Sequence, residues 1–224
     1  MSGIQNAVIR ASSKNSGYAC GMPTSLAMVA GRPLIHWQLD VLENCRNVVV
    51  IVGHQAANVM RAVLSKRSDA IFMMDHDAEK TSPLDSLLLG TSTMDEAYIY
   101  LEGNVLVDQK AIDAVMESPW PVIGISRTNS EQPVCVDIKE NRYGKQVTGF
   151  TKEPQDYEWI GLAQLNPESI RDAKGAHEVF HAIEQTLPIA AVEVDCREIR
   201  NREDLEESED WLAERSPLRK AVNA

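Results

Sequence analysis

Long apolar runs are missing from this 224-residue chain, and none reaches the roughly 18 consecutive residues that a membrane-spanning helix needs. No early basic stretch leads into an apolar segment, as a secretory signal would require. Cysteines are few, and Cys20, Cys45, Cys135 and Cys196 stand singly without a CxxC pair, which favours reduced thiols over a disulfide framework. These absences predict a cytoplasmic protein with no membrane partner.

A surplus of basic residues is also missing. The chain has 22 Lys and Arg residues against 33 Asp and Glu residues, which gives a formal net charge of −11 at pH 7. Because a phosphate backbone repels such a chain, the balance argues against broad binding to nucleic acid or to anionic lipid. It still permits a local basic pocket that holds one small phosphate.

The residues that are present have an ordinary globular composition, with 44% hydrophobic and 25% charged residues. A chain of this length can bury a core without disulfides or metal ions. No internal repeat or low-complexity linker divides it. We therefore expect a single domain over residues 1–224.

Short apolar runs alternate with helical patterns in the first half. The expected strands are residues 7–9, 48–52, 70–74 and 97–101, and the expected helices begin at Pro33 and cover residues 56–64 and 84–90. Val48–Val52 is an uninterrupted β-branched run, typical of a strand buried on both faces of a parallel sheet, and we expect it at the centre of the sheet. This alternation predicts βαβ units with ligand-binding loops at the carboxyl ends of the strands, at residues 10–24, 53–54, 75–86 and 102–108.

The second half has a different pattern. Residues 122–126, 134–138 and 147–150 are expected as antiparallel strands around a turn at 141–144, followed by strands at 159–165 and 190–194. Helices are expected over residues 177–187, where Pro188 follows, and over the acidic stretch 203–214. The predicted fold is an α/β three-layer sandwich around a mixed, mainly parallel sheet of about seven strands.

Six stretches of the sequence carry family motifs: NAVIRASS at 6–13, PTSL and VAGRPLI within 23–35, VVVIVGH at 48–54, YIYLEGNVL at 98–106, FTKEP and WIGL within 150–162, and EIRNREDL at 198–205. In this order they resemble the nucleotidyltransferase superfamily with the Rossmann-like GT-A fold, and sugar-phosphate and phosphocholine or phosphonate cytidylyltransferases in particular. The similarity extends over nearly the whole chain.

The resemblance implies attack of a phosphate oxygen on the α-phosphorus of a nucleoside triphosphate, with pyrophosphate as the leaving group. It implies a nucleotide-binding half (1–118) and an acceptor-binding half (119–224). The nucleotide contacts that it implies are Arg10, Ala11, Ser12, Ser13, Lys14, Gly53, Ser86, Gly103 and Asn104. The acceptor contacts that it implies are Lys152, Glu153, Trp159 and Gly161.

The phosphate-binding parts of the family pattern are altered. The glycine-rich loop reads Ser13–Tyr18, so two positions that let backbone N–H groups approach phosphate carry Cβ atoms. The lysine of the Pro-Lys pair is Thr24, and the Glu-Lys pair is inverted to Lys152-Glu153.

Both metal-binding aspartates of the family pattern are also replaced. The first is Asn104, whose amide can coordinate a cation but carries no charge, and the second is Arg200, which repels a divalent cation. These two changes alter the local formal charge from −2 to +1. We expect Mg²⁺ as a cofactor only if the divergent site is active.

These departures predict a weakly active or inactive relative. It would bind a small-molecule nucleotide or phosphoester, or support an active enzyme, as a homodimer or in a complex with an active paralogue. The alternative is an active nucleotidyltransferase with a divergent site, acting on a phosphorylated sugar, a choline-like or a phosphonate acceptor.

Arg200 leaves two interpretations open. Its guanidinium can hold a phosphate bidentately, or it can pair with Glu198 or Asp204 nearby, and the second interpretation is slightly favoured. Trp159 is expected to pack in the core, against Pro154, more than against a ligand.

Two further segments contain metal-ligand residue types. His177-Glu178-Val179-Phe180-His181 has the HExxH spacing of zinc proteases, but a surface helix is favoured because no third ligand helix follows. For residues 75–77, Asp-His-Asp, a solvated turn is favoured over a metal site.

Overall fold

The computed structural model describes residues 4–13, 21–118, 121–173 and 175–215. Its strands are β1 (Asn6–Ala11), β2 (Met28–Val29), β3 (Arg32–Pro33), β4 (Asn47–Val52), β5 (Ile71–Met74), β6 (Tyr98–Glu102), β7 (Val105–Val107), β8 (Val122–Arg127), β9 (Cys135–Asn141), β10 (Gly144–Thr151), β11 (Tyr157–Leu165), β12 (Ile189–Glu193) and β13 (Cys196–Glu198). Its α-helices are α1 (Leu34–Val41), α2 (Ala56–Lys66), α3 (Pro83–Gly90), α4 (Gln109–Met116), α5 (Pro167–Arg171), α6 (Val179–Glu184) and α7 (Arg202–Arg215).

The main sheet contains strands from both halves of the chain, in the order β5-β4-β1-β6-β11-β8-β12-β10-β9. Strands β5, β4, β1 and β6 run parallel to one another, and β12 runs parallel to β8. Strands β9, β10 and β11 pair antiparallel with their neighbours. The α/β class and the mixed sheet are confirmed, and this sheet has nine strands instead of about seven.

The expectation that Val48–Val52 lies at the centre of the sheet is wrong. Strand β4 is second from the edge, between β1 and β5, because the second half of the chain adds its strands on the far side of β6. The residues of this run are nevertheless buried, as the apolar pattern predicts. A local pattern reports burial on two faces but does not report strand order.

Helices cover both faces of the sheet. One core cluster joins α1, α2 and α4 to the face of β1 that carries Ala7 and Ile9. A second cluster joins α3, α5 and α6 to the opposite face, which carries Val8. Successive side chains of a strand point to opposite faces, so this alternation produces the predicted three layers. The division into a nucleotide-binding and an acceptor-binding half stays a prediction.

Three helices differ from the sequence expectations, and one of them is α5, since no helix was expected over Pro167–Arg171. Helix α6 begins at Val179 instead of residue 177, because the backbone at Glu178 is still extended and the carbonyl of His177 accepts a hydrogen bond from Leu84 N at 2.9 Å. Helix α4 was not predicted, although Asp108 caps its N-terminus by accepting from Ala111 N at 2.9 Å.

No helix in the described ranges is long and apolar enough to cross a membrane. Cys45, Cys135 and Cys196 are buried free thiols, as expected, and Cys20 lies outside the described residues. The predicted turn at 141–144 joins β9 to β10, and Asn141 Oδ1 accepts from Tyr143 N at 2.8 Å.

Candidate functional site

A cleft of about 150 Å³ lies where β1 and β6 end. Its floor is an ion pair between Arg10 and Glu102, which are directly opposite each other on the two parallel strands. Their side chains are only 12% and 19% exposed. Tyr100 donates its hydroxyl proton to the second oxygen of Glu102, so both oxygens of this carboxylate are hydrogen-bonded.

Burial raises the pKa of the Tyr100 phenol, although the nearby Arg10 guanidinium acts in the opposite direction. The hydroxyl group therefore remains a proton donor to Glu102 at neutral pH. This arrangement holds the Glu102 carboxylate beside Arg10 and fixes the floor of the cleft in place.

Two glycines let three strands approach closely at this floor. Gly103 N donates to the Arg10 carbonyl at 3.0 Å, and a Cβ atom on Gly103 would lie 2.4 Å from that oxygen. Gly161 has a φ of +72°, and a Cβ there would lie 2.6 Å from Glu102 Cβ. A side chain at either position would force neighbouring strands apart.

Asn104 and Arg200 are brought together, as the family pattern implies, and both contact Glu198. Asn104 Nδ2 donates to Glu198 Oε1 at 2.9 Å, and Arg200 Nε donates to the same oxygen at 2.8 Å. Arg200 Nη2 donates to the other oxygen, Oε2. The pairing of Arg200 with Glu198 is therefore confirmed, and Arg200 N also donates to Asp204 Oδ2 at 2.7 Å.

The residues at these positions do not fit a Mg²⁺ ion. Such an ion prefers carboxylate and water oxygens, whereas the described arrangement puts a guanidinium against both oxygens of Glu198. In the described part of the chain, no group of three or more His, Cys, Asp or Glu side chains is placed to hold a metal ion.

The local charge also differs from the sequence count. That count gave +1 for Asn104 and Arg200 together, but the Glu198 carboxylate cancels the Arg200 charge, just as Glu102 cancels Arg10. Glu178 also lines the cleft, so the formal charges of the ionic side chains that line the cleft sum to −1. The cleft is therefore not the strongly cationic site that the two substitutions suggested.

Part of the predicted nucleotide-binding set lies beside the cleft, where β1, β4 and β5 end. Ser12 is buried and its carbonyl accepts from His54 N at 3.1 Å. A Cβ on Gly53 would lie 2.4 Å from Ala78 Cβ and 3.0 Å from the Ser12 carbonyl, so these loops are in close contact. Ser86 is buried and donates to Asp75 Oδ2 at 2.5 Å.

The favoured interpretation of residues 75–77 as a solvated turn is wrong for Asp75. This carboxylate is 5% exposed and accepts hydrogen bonds from Ser86 and from Thr81, the latter at 3.0 Å. Only His76 and Asp77 are exposed. Asp75 thereby fixes the loop that follows β5 to the start of α3.

The remaining nucleotide-binding candidates have different positions. Ala11 is buried at the end of β1 and Ser13 is exposed, while Lys14 lies outside the described residues. Thr24 is buried in a short 3₁₀ turn, Thr24–Leu26, where its carbonyl accepts from Ala27 N at 2.8 Å.

The acceptor-binding candidates divide into two groups. Trp159 and Gly161 line the cleft, and the Trp159 ring packs edge-on against Phe150, with centroids 6.5 Å apart. Lys152 and Glu153 are exposed and do not line the cleft. Lys152 lines an adjoining cavity of about 590 Å³ that shares Val134 and Phe180 with the cleft.

The two histidines of the HExxH segment do not lie one turn apart on a helix. His177 precedes the N-cap of α6, whereas His181 lies within the helix, with its ring against Phe180 at a centroid distance of 4.1 Å. The helical geometry that a zinc pair needs is therefore missing from this segment.

Sequence reasoning missed Tyr100, Glu102 and Glu178 as residues that line the cleft. A signal existed for two of them: Tyr100 and Glu102 are two residues apart on one strand, and so they share a face. The position of Glu178 depends on the packing of α6, for which the sequence has no local signal.

The whole structure is similar to solved nucleotidyltransferase structures. One is the inositol-1-phosphate CTP transferase from T. maritima, with a TM-score of 0.78 and 14% identity, covering 92% of this chain and 95% of that one. Another is a UDP-glucose pyrophosphorylase from Acinetobacter baumannii, with a TM-score of 0.76 and 13% identity over 96% and 95% of the two chains. A third, a UDP-glucose pyrophosphorylase complexed with UDP-glucose, has a TM-score of 0.73 and 11% identity over 95% and 100%.

No protein-family model and no curated protein matches the sequence. At these identities the comparison establishes the fold and leaves the activity open. The resemblance found in the sequence motifs is confirmed at that level: the chain has the nucleotidyltransferase fold.

Proposed function

We propose that this protein binds a nucleotide or another phosphate ester in the cleft between Arg10 and Arg200, and that it does not catalyse efficient Mg²⁺-dependent nucleotidyl transfer. It would act as a binding protein with this fold, or as a partner of an active enzyme. The preferred ligand is a small molecule, and the net charge of −11 disfavours nucleic acid.

One observation supports the loss of transfer above the others. Arg200 and Asn104 share Glu198, so a guanidinium stands where the fold's active members, by resemblance, place a metal ion. Loss of one preorganised electrostatic contact to a transition state costs about 3–4 kcal/mol, or about two to three powers of ten in rate. Thr24, which replaces the lysine of the Pro-Lys pair, adds a second loss of this kind.

Ligand binding is supported by the backbone of the site. Gly103 and Gly161 hold three strands close together beneath the cleft, and Gly161 lines it without a side chain. The cleft of about 150 Å³ adjoins the larger cavity at Val134 and Phe180, so one elongated ligand can occupy both. A neighbour with this fold has UDP-glucose bound, which is such an elongated phosphate ester.

A specific observation also favours the alternative, an active transferase. Glu102 and Glu198 are two of the three carboxylates that line the cleft with Asn104, although neither is at a family metal position. Rearrangement of Arg10 and Arg200 around a bound triphosphate would free these carboxylates for a cation.

A thermal-shift screen with CTP, UTP, GTP, ATP and sugar phosphates, each with and without Mg²⁺, tests the proposal. We expect at least one of these ligands to raise the melting temperature to the same extent in both conditions, because the site contains no fitting metal position. A parallel assay for pyrophosphate release should show no turnover. Mg²⁺-dependent release that a chelator abolishes would establish the alternative, and no shift with any ligand would refute nucleotide binding.

A further inference from the structure

Glu198 joins Asn104 and Arg200 in one hydrogen-bonded network at the centre of the cleft. Its carboxylate accepts three hydrogen bonds, one from Asn104 and two from Arg200. The Glu198 and Arg200 side chains are 28% and 33% exposed. The guanidinium therefore supplies two of these three hydrogen bonds.

Asn104 supplies a second potential ligand at the same point. Its amide Nδ2 faces Glu198, while its carbonyl oxygen Oδ1 is buried and has no hydrogen-bond partner among the described residues. A buried amide oxygen without a partner is destabilising, and an oxygen of this type is a good ligand for a hard cation. Rotation of the amide by half a turn would present Oδ1 instead of Nδ2 to an ion beside Glu198.

The backbone holds these two side chains together independently of Arg200. Strands β7 and β13 pair with Val105 opposite Glu198, and Ile199 N donates to the Asn104 carbonyl at 2.8 Å. Asp204 accepts from the backbone N–H groups of Arg200 and Asn201, which fixes the start of α7. Removal of the Arg200 side chain leaves all of these bonds in place.

We infer that the Arg200 guanidinium is a built-in cation: it fills a place between Glu198 and Asn104 that would otherwise accept a divalent metal ion. The cleft thereby works with no metal ion, and a single substitution of Arg200 opens a divalent-cation site. The inference rests on the proposed function for its place in the cleft, but it concerns an ion alone and needs no nucleotide.

The charges set the expected affinity. Glu198 and Arg200 cancel in the natural chain, so an added dication gains no net attraction from them. Arg200→Ala leaves one carboxylate and one amide oxygen without a cation, so we expect this variant to bind Mn²⁺ more tightly than the natural chain does. Arg200→Asp adds a second carboxylate at this point and should tighten binding by about tenfold.

Titration with Mn²⁺, followed by electron paramagnetic resonance at moderate ionic strength, tests the inference. We expect one additional bound Mn²⁺ per chain in Arg200→Ala and in Arg200→Asp compared with the natural chain. Arg197→Ala is the matched control, since Arg197 lies three residues before Arg200, is similarly exposed at 29%, and pairs with Asp195 outside the cleft. This control should bind no more Mn²⁺ than the natural chain does.

Two further measurements identify the site. Glu198→Gln in the Arg200→Ala background should remove the additional ion, and methylguanidinium at concentrations that do not unfold the protein should displace it. If the natural chain binds Mn²⁺ as tightly as Arg200→Ala does, or if Glu198→Gln has no effect, the inference is wrong. Failure of nucleotide binding would be seen separately, in the natural chain without metal.

Discussion

The buried ion pair at the floor of the cleft offers a quantitative test of the structure. Arg10 and Glu102 are 12% and 19% exposed, and Tyr100 donates to the same carboxylate. Glu102→Gln keeps the shape and one acceptor but removes the negative charge, so the guanidinium is left buried without a counter-charge. Arg10→Met leaves the carboxylate in the same position without its cation.

The cost of each single change follows from this burial. Removal of one partner of a buried ion pair costs about 3–5 kcal/mol, and the partial exposure of both groups favours the lower end, about 3 kcal/mol. For a chain of this size, that loss lowers the melting temperature by about 6–12 °C. The double variant Arg10→Met with Glu102→Gln leaves no unpaired charge, so its loss should be about 3 kcal/mol less than the sum of the single losses.

Urea unfolding of the four proteins, followed by circular dichroism, measures this coupling. Glu206→Gln is the control, because Glu206 pairs with Arg202 on the surface of α7, where the two side chains are 67% and 89% exposed. That control should not change the free energy of unfolding measurably. The buried pair is refuted if the losses in free energy of unfolding of Arg10→Met and Glu102→Gln simply add in the double variant. It is also refuted if Glu102→Gln loses no more stability than the control does.

Three other predictions concern packing, pH and thiol reactivity. Gly103→Ala should destabilise the protein by about 3 kcal/mol in urea unfolding, because the new Cβ would lie 2.4 Å from a backbone carbonyl of β1; a loss under about 1 kcal/mol would contradict this. Burial raises the pKa of Asp40, but hydrogen bonds from Lys66 and Arg32 outweigh it and hold the pKa below 3.8. The stabilisation by Asp40 is therefore present above that pH and is lost as the pH falls through the lower folded-state pKa. The difference in free energy of unfolding between the natural chain and Asp40→Asn should narrow below about pH 4. A difference that does not change with pH would show that the ion pairs are absent. Burial raises the pKa of the Cys196 thiol to about 12, so an aromatic disulfide reagent should label Cys196 only after unfolding; rapid labelling of Cys196 itself in the native protein, assigned by peptide mapping, would contradict its burial.

Local sequence patterns determined most of the secondary structure. The β-branched run at Val48–Val52 gave a buried strand, and the Asn141–Gly144 turn gave a hairpin. These features depend on residues close together in the chain, whose propensities and periodicity are visible in the sequence. The order of the strands is not visible in this way, which is why β4 was expected at the centre and lies near an edge.

The substitutions at the candidate site were also visible in the sequence, because the resemblance to the family motifs points to Asn104 and Arg200. What they do was decided only by the tertiary structure. Asn104 and Glu198 are 94 residues apart in the chain, and the pairing of β7 with β13 makes them neighbours. That contact turns two isolated substitutions into one hydrogen-bonded network and cancels the positive charge that the sequence count assigned to the site. Charge and hydrogen bonding act over a few ångströms in space, so residues remote in sequence determine them as much as adjacent ones do.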